Sequence, residues 1–302
     1  MTISTPSPSR PILEELHYRK DCVHVSLVVN RRHRTARVVD FLAGNFVQKQ
    51  QSLHALAHKE GIERLYTLVE REESHGWMRA GYAREGSIPS YYRRSDAYLM
   101  GYLVVPTPEL TEEGVPVAPV ADVRRAERTL TSAKRLLAEV SETSRSVRSE
   151  VLTDENVVAA RYSSARGKRP VWLDDRFGRG GNRLHVSARQ ARLGRGEQVI
   201  SAEVHEPFGN AYVQPAAWPT KADEGKLLVA ALGALNDHLR AREVACAFAV
   251  SPVDNAVTAA AMLSSGFRKT GLLARHILVG ERKVDAILWT RKPTIVASAD
   301  AA

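Results

Sequence analysis

The chain has little cysteine: two residues in 302, Cys22 and Cys246, far apart in sequence. That spacing excludes a disulfide framework and a cysteine-ligated zinc site. It also lacks long apolar runs, and none approaches the roughly eighteen residues that a membrane-spanning helix needs. The opening MTISTPSPSR has neither the basic start nor the apolar stretch of a signal peptide. It reads as part of a disordered lead-in over 1–19, and the expected compartment is the cytoplasm. No His-Glu-x-x-His spacing occurs among the ten histidines, so no metal site is expected.

What is present is the composition of a folded protein with room for two domains: 44% hydrophobic and 25% charged residues. The formal net charge is +9, which invites a nucleic-acid partner. The charge is local, however. Residues 161–195 alone carry a balance of +8, leaving the remainder nearly neutral. Gly178, Arg179, Gly180 and Gly181 lie within that segment, and no strand leads directly into them, so they are not a dinucleotide fingerprint. The segment is expected to face an acidic partner or to be a solvated basic loop.

The chain divides at VPTPELTEEGVPVAPV (105–120), whose four prolines predict an extended linker. Val123, Ala126, Leu130, Ala133, Leu137 and Val140 then recur at helical spacing, with Asp122 placed to cap the start. Before the linker, the pattern predicts strand 24–30, helix 36–59, strand 64–70, helix 75–82 and strands near 83–89 and 96–105. After it come strands 183–193, 198–206 and 210–218, helix 225–241, strand 245–251, helix 254–265 and two final strands. Both halves end alike: strand, helix, Gly81-Tyr82 or Gly266-Phe267, then two strands with Asp96-Ala97 or Asp285-Ala286. The reading is an internal repeat of α/β lobes. The expected domains are a lead-in (1–19), a partial lobe (20–105), a linker with amphipathic helix (106–160), a fuller lobe (161–293) and a tail (294–302).

NAVTAAAMLSSGF (255–267) resembles the closing helix of the GNAT-type N-acetyltransferase superfamily, and GYAREGSIPSYYRRSDAYLMGYLV (81–104) resembles the N-terminal part of β-lysine N-acetyltransferases. The resemblance covers about 20–105 and 183–293. It implies a tandem acetyltransferase-like α/β fold, with a partial N-terminal lobe, a fuller C-terminal lobe, and mixed sheets flanked by helices. It further implies acetyl-CoA as co-substrate and a small amine such as a β-lysine-like amino acid as acceptor. The long helix at 123–140 could pack along a domain or a partner subunit, so a homodimer stays open. In such a fold, backbone N–H groups entering a helix hold the pyrophosphate, a splayed strand polarises the thioester carbonyl, and a carboxylate or water deprotonates the amine.

The family's phosphate loop is altered here. Its C-terminal counterpart is Thr220-Lys221-Ala222-Asp223-Glu224-Gly225, where two acids oppose phosphate and Lys221 and Lys226 offset them. Its N-terminal counterpart falls on Arg31-Arg32-His33-Arg34-Thr35-Ala36. The position of the usual tyrosine acid falls on Met262, or on Trp77 in the first lobe. The cofactor-binding candidates are therefore Thr220, Lys221, Gly225, Lys226 and Asn255, the last of which serves equally as a helix cap. Glu203 and Glu206, flanking His205, are candidate bases or a solvated strand face. Glu85 and Asp96, walled by Tyr91 and Tyr92, are candidates to hold an acceptor ammonium, or form a structural hairpin. An active acyltransferase and a catalytically degenerate fold binding an acidic partner both remain open.

Overall fold

A computed structural model describes residues 13–20, 23–31, 33–41, 46–104, 121–142, 147–164, 182–190, 196–280 and 282–292. The elements in chain order begin with β1 (Leu13–Lys20), β2 (Val23–Asn30), β3 (Thr35–Phe41), α1 (Phe46–Lys59), β4 (Arg64–Val69), α2 (Arg71–Arg79), β5 (Ala83–Ile88) and β6 (Ala97–Leu103). After the linker come α3 (Val123–Ser141), β7 (Val147–Val151), α4 (Glu155–Ser164), β8 (Arg183–Gln190), β9 (Glu197–His205) and β10 (Asn210–Pro215). Then follow α5 (Ala222–Ala241), β11 (Cys246–Pro252), α6 (Ala256–Ser264), β12 (Arg268–Val279) and β13 (Arg282–Arg291). No helix among the described residues is long and apolar enough to cross a membrane.

The fold is mixed α/β, a partial N-terminal lobe and a fuller C-terminal one. The strands form a single sheet in the order β1-β2-β3-β4-β6-β5-β12-β13-β11-β10-β9-β8-β7, not one sheet per lobe. Outward from the β5–β12 seam, both sides run in the same order, the C-terminal side with one strand more. Each side has one parallel pair, β3–β4 and β10–β11, joined through a helix as parallel strands require. The seam pairs Gly271 with Gly86. A Cβ on Gly86 would come within 2.8 Å of the Gly271 backbone, so only glycines allow this approach.

Several expectations change. Residues 35–41 are strand, not the start of a helix: Ala36 and Val38 are buried while Val39 is exposed, the period-two pattern of a half-buried strand. Helix α1 starts only at Phe46, and α2 starts at Arg71, where Glu70 and Glu73 form a capping box. Residues 13–20, expected within the lead-in, pair along their length with β2. Helix α3 packs against α5 and α6, and β7 pairs with β8, so both lie within the second lobe and not in a separate linker region ending at 160. The expected cap holds: the Asp122 carboxylate accepts from the Arg125 N–H at 3.0 Å.

Candidate functional site

The β10–β11 pair is registered over only three residue pairs, from Asn210↔Cys246 to Tyr212↔Phe248. Past Tyr212, β10 continues to Pro215 against β9, and β11 continues to Pro252 against β13. Each strand thus keeps its outer ladder and has no strand partner on its inner edge among the described residues. The result is a wedge-shaped gap whose backbone groups can hydrogen-bond an extended ligand. Ala216 donates to the Val199 carbonyl at 2.6 Å, which by strand alternation turns Pro215 toward the gap, where it has no N–H to give.

Residues directly opposite each other on antiparallel strands share a face. One face carries Leu184, Val186, Ile200, Ala202 and Val213, core residues beneath α5. The other carries the rows Arg183, Glu203, Tyr212 and His185, Ser201, Gln214. Glu203 lies beside the vertex of the gap and pairs with Arg183 at 3.2 Å. His205 lies tilted against Phe208, their ring centroids 4.6 Å apart, and its Nδ1 has no hydrogen-bond partner among the described residues. Burial and the Arg37 charge lower its pKa, against an opposing pull from Glu203, so the imidazole is neutral near pH 7. Glu206 departs from this face: it lies in the turn after β9, where its carboxylate accepts from the Asn182 side chain.

The acceptor-side candidates fare differently. Glu85 is buried and receives both arms of the Arg64 guanidinium, together with the Ala274 N–H at 3.1 Å. It is a buried seam residue whose charge is matched by Arg64. Asp96 accepts the Ser90 N–H at 2.8 Å and closes the hairpin turn. Tyr91 is buried, its ring 5.8 Å from Phe248, and its carbonyl accepts from Asn210 Nδ2 at 2.8 Å. Tyr92 lies edge-on to Phe208 at 5.3 Å and donates its hydroxyl to the Leu68 carbonyl. The hairpin reading is therefore the one the geometry supports, and its tip stands against the C-terminal lobe beside the gap vertex.

At the other end of the gap, α5 begins at Lys221, which makes no side-chain cap. Thr220 gives both its N–H (2.7 Å) and its hydroxyl (3.2 Å) to the Glu224 carboxylate. Gly225 packs on neighbouring helices: a Cβ there would lie 2.9 Å from Val257 and 3.3 Å from Val140. Lys226 sits 3.7 Å from Asp223 and 3.8 Å from Glu142. Asn255 caps α6 through Thr258 N–H at 2.9 Å, and its amide also donates to the Pro219 carbonyl at 2.9 Å, tying the two helix starts together. Met262 and Trp77 are both fully buried.

The N-terminal phosphate-loop assignment is overturned, because Arg31, His33 and Arg34 lie in the connection between the paired strands β2 and β3, with Arg34 at φ 49°, and Thr35 and Ala36 belong to β3. The connection that enters α1 spans 42–45, outside the described residues. So do 165–181 and 191–195, most of the basic segment. Its described arginines are engaged internally: Arg161 with Glu150 and Glu197, Arg183 with Glu203, and Arg189 with Glu150. No group of three or more metal-capable side chains occurs among the described residues. His54 and His58 stand one turn apart on α1, but His54 stacks on Tyr102 at 4.2 Å.

No protein-family model matches the chain, and no curated protein matches it. Solved structures do. The ribosomal-protein-S18-alanine N-acetyltransferase of Escherichia coli matches at 19% identity, covering 52% of this chain and 99% of its own, with a TM-score of 0.39. The spermidine N-acetyltransferase of Vibrio cholerae matches at 9% identity, covering 52% of this chain and 100% of its own, with a TM-score of 0.40.

Proposed function

We propose that the chain is an acyl-CoA-dependent N-acyltransferase acting on a small amine, with its reaction centre in the C-terminal lobe. The observation that carries this reading is the β10–β11 gap. Two strands with satisfied outer edges and unpaired inner edges suit an amide-containing arm such as that of acetyl-CoA. The motif resemblance at 255–267 is in accord with it. When bound, the thioester supplies an activated acyl carbonyl.

The residues of the chain divide the remaining work. By strand alternation the gap-facing backbone groups are those of Val213 and Val250, which align the arm. The uncapped start of α5, with Lys221 and Lys226, faces the anionic end of the donor. Asp223 and Glu224 oppose that charge, which implies modest affinity. Neutral His205, with Glu203 in support, takes the proton from the incoming ammonium. Met262 cannot return a proton to the departing thiolate, which leaves as the anion and takes its proton from water. A β-lysine-like acceptor is the finer proposal, resting on the resemblance at 81–104.

A degenerate, donor-free binding module is the second reading, favoured by Glu224 occupying the Thr220 N–H and by Pro215 in the gap. Titration calorimetry with acetyl-CoA, followed by thiol release with a panel of small amines, separates the two. Binding with amine-dependent thiol release is expected, whereas a protein that neither binds nor turns over leaves the second reading standing.

A further inference from the structure

The two lobes repeat the same parallel strand pair, yet their gaps are not alike. In the N-terminal lobe, β3 and β4 are registered from Thr35↔Arg64 to Val38↔Thr67 and then part, with β3 continuing against β2 and β4 against β6. Here two side-chain hydroxyls bridge the divergence. Thr67 Oγ1 donates to the Val38 carbonyl at 3.0 Å, across the parting strands. The Tyr92 hydroxyl donates to the carbonyl of Leu68, the first β4 residue past the last registered pair, at 3.1 Å. In the C-terminal lobe, counting from the first pair of each ladder, the position of Thr67 falls on Ala249, which has no hydroxyl and is fully buried. The nearest hydroxyl on β11, Ser251, accepts instead from Trp289 Nε1 at 2.8 Å, on the side of the outer ladder.

We infer that the chain has a single donor-arm site, in the C-terminal lobe, and that Thr67 and Tyr92 close the equivalent gap of the N-terminal lobe. This rests on the acyltransferase reading above, and it assigns the work that reading leaves undivided. An arm that binds by strand-edge hydrogen bonds needs unpaired carbonyls and N–H groups. Two of the carbonyls bordering the N-terminal gap already have side-chain donors, and displacing those donors would leave buried polar groups unmatched. Thr67 is itself buried, so its hydroxyl has no water to turn to. Tyr92 has a second contact, with Phe208 of the other lobe, so closing one gap also seats the hairpin tip beside the other.

Hydrogen exchange by mass spectrometry on the full chain, with and without acetyl-CoA, tests this. Without ligand, Thr67→Val combined with Tyr92→Phe should speed exchange at 36–41 and 67–69 by about fivefold per lost bond, the factor corresponding to ~1 kcal/mol. Amides at 213–214 and 249–251 should be unchanged. With acetyl-CoA, protection is expected at the gap-facing amides of Val213 and Val250 and not at 36–41 or 67–69. Unchanged exchange in the double variant, or protection in the N-terminal gap, would overturn the inference. Protection in neither lobe overturns the acyltransferase reading instead, while the ligand-free comparison still decides whether the hydroxyls close the gap.

Discussion

Arg64 is the side chain on which the seam depends. It is fully buried, forks onto Glu85, donates to the Ala274 carbonyl, and gives Nε–H to His276 Nδ1 at 3.0 Å. A lone carboxylate left in that place is costly, so Arg64→Met should destabilise the protein by about 3–5 kcal/mol in chemical denaturation. The double variant Arg64→Met with Glu85→Leu should recover part of that loss, because no unpaired charge is then buried. The histidines make a pH statement. Burial lowers the His54 pKa to about 4, and burial with Arg64 lowers that of His276 well below its ordinary value. Both groups are neutral when folded and gain protons more readily when unfolded. Their contribution is thus intact above the unfolded imidazole value of about 6.5 and is lost as pH falls toward the folded values. Melting temperature should therefore drop between about pH 6.5 and 4, and His54→Leu should flatten that slope; an unchanged slope would show that His54 does not contribute.

At the level of elements, Asn255 and Gly225 hold the starts of α5 and α6 in place. Asn255→Ala removes the α6 cap and the tie to Pro219, and should cost about 1–2 kcal/mol in a thermal melt. Gly225→Trp cannot serve as a clean probe of a phosphate seat, since even a Cβ meets Val257 at 2.9 Å. That variant should lose helical circular dichroism on mild heating, as α5 is forced away from α3 and α6. The same elements show what sequence could and could not reveal. Strong helical periodicity with a cap made α3 readable from residues 122–140, and the paired Gly-aromatic endings made α2 and α6 readable. Strand β3 was hidden because TARVVDF runs into the apolar start of α1 across four residues, and a short apolar run does not distinguish strand from helix. The Arg64–Glu85 pair is not legible in the sequence for a different reason: the two residues lie in separate elements, and no local pattern reports a buried pair formed across a seam.

At the scale of the whole molecule, one continuous sheet joins two lobes that reach into each other at both ends of the seam. The 89–96 hairpin tip crosses to the C-terminal side, where Arg93 donates to the Glu206 carbonyl at 2.8 Å, and Lys283 crosses back to Glu63 at 2.7 Å. Neither lobe is therefore expected to behave as an independent unit. The basicity that stood out in the sequence belongs mainly to one segment, and its described arginines are committed to glutamates. The two similar gaps are asymmetric, one bridged by hydroxyls and one open, and the open one is the proposed donor site. Titration calorimetry of the full chain with acetyl-CoA tests that most directly. One molecule bound per chain, with stoichiometry unchanged in Thr67→Val, is the result expected; no binding, or two molecules per chain, would contradict it.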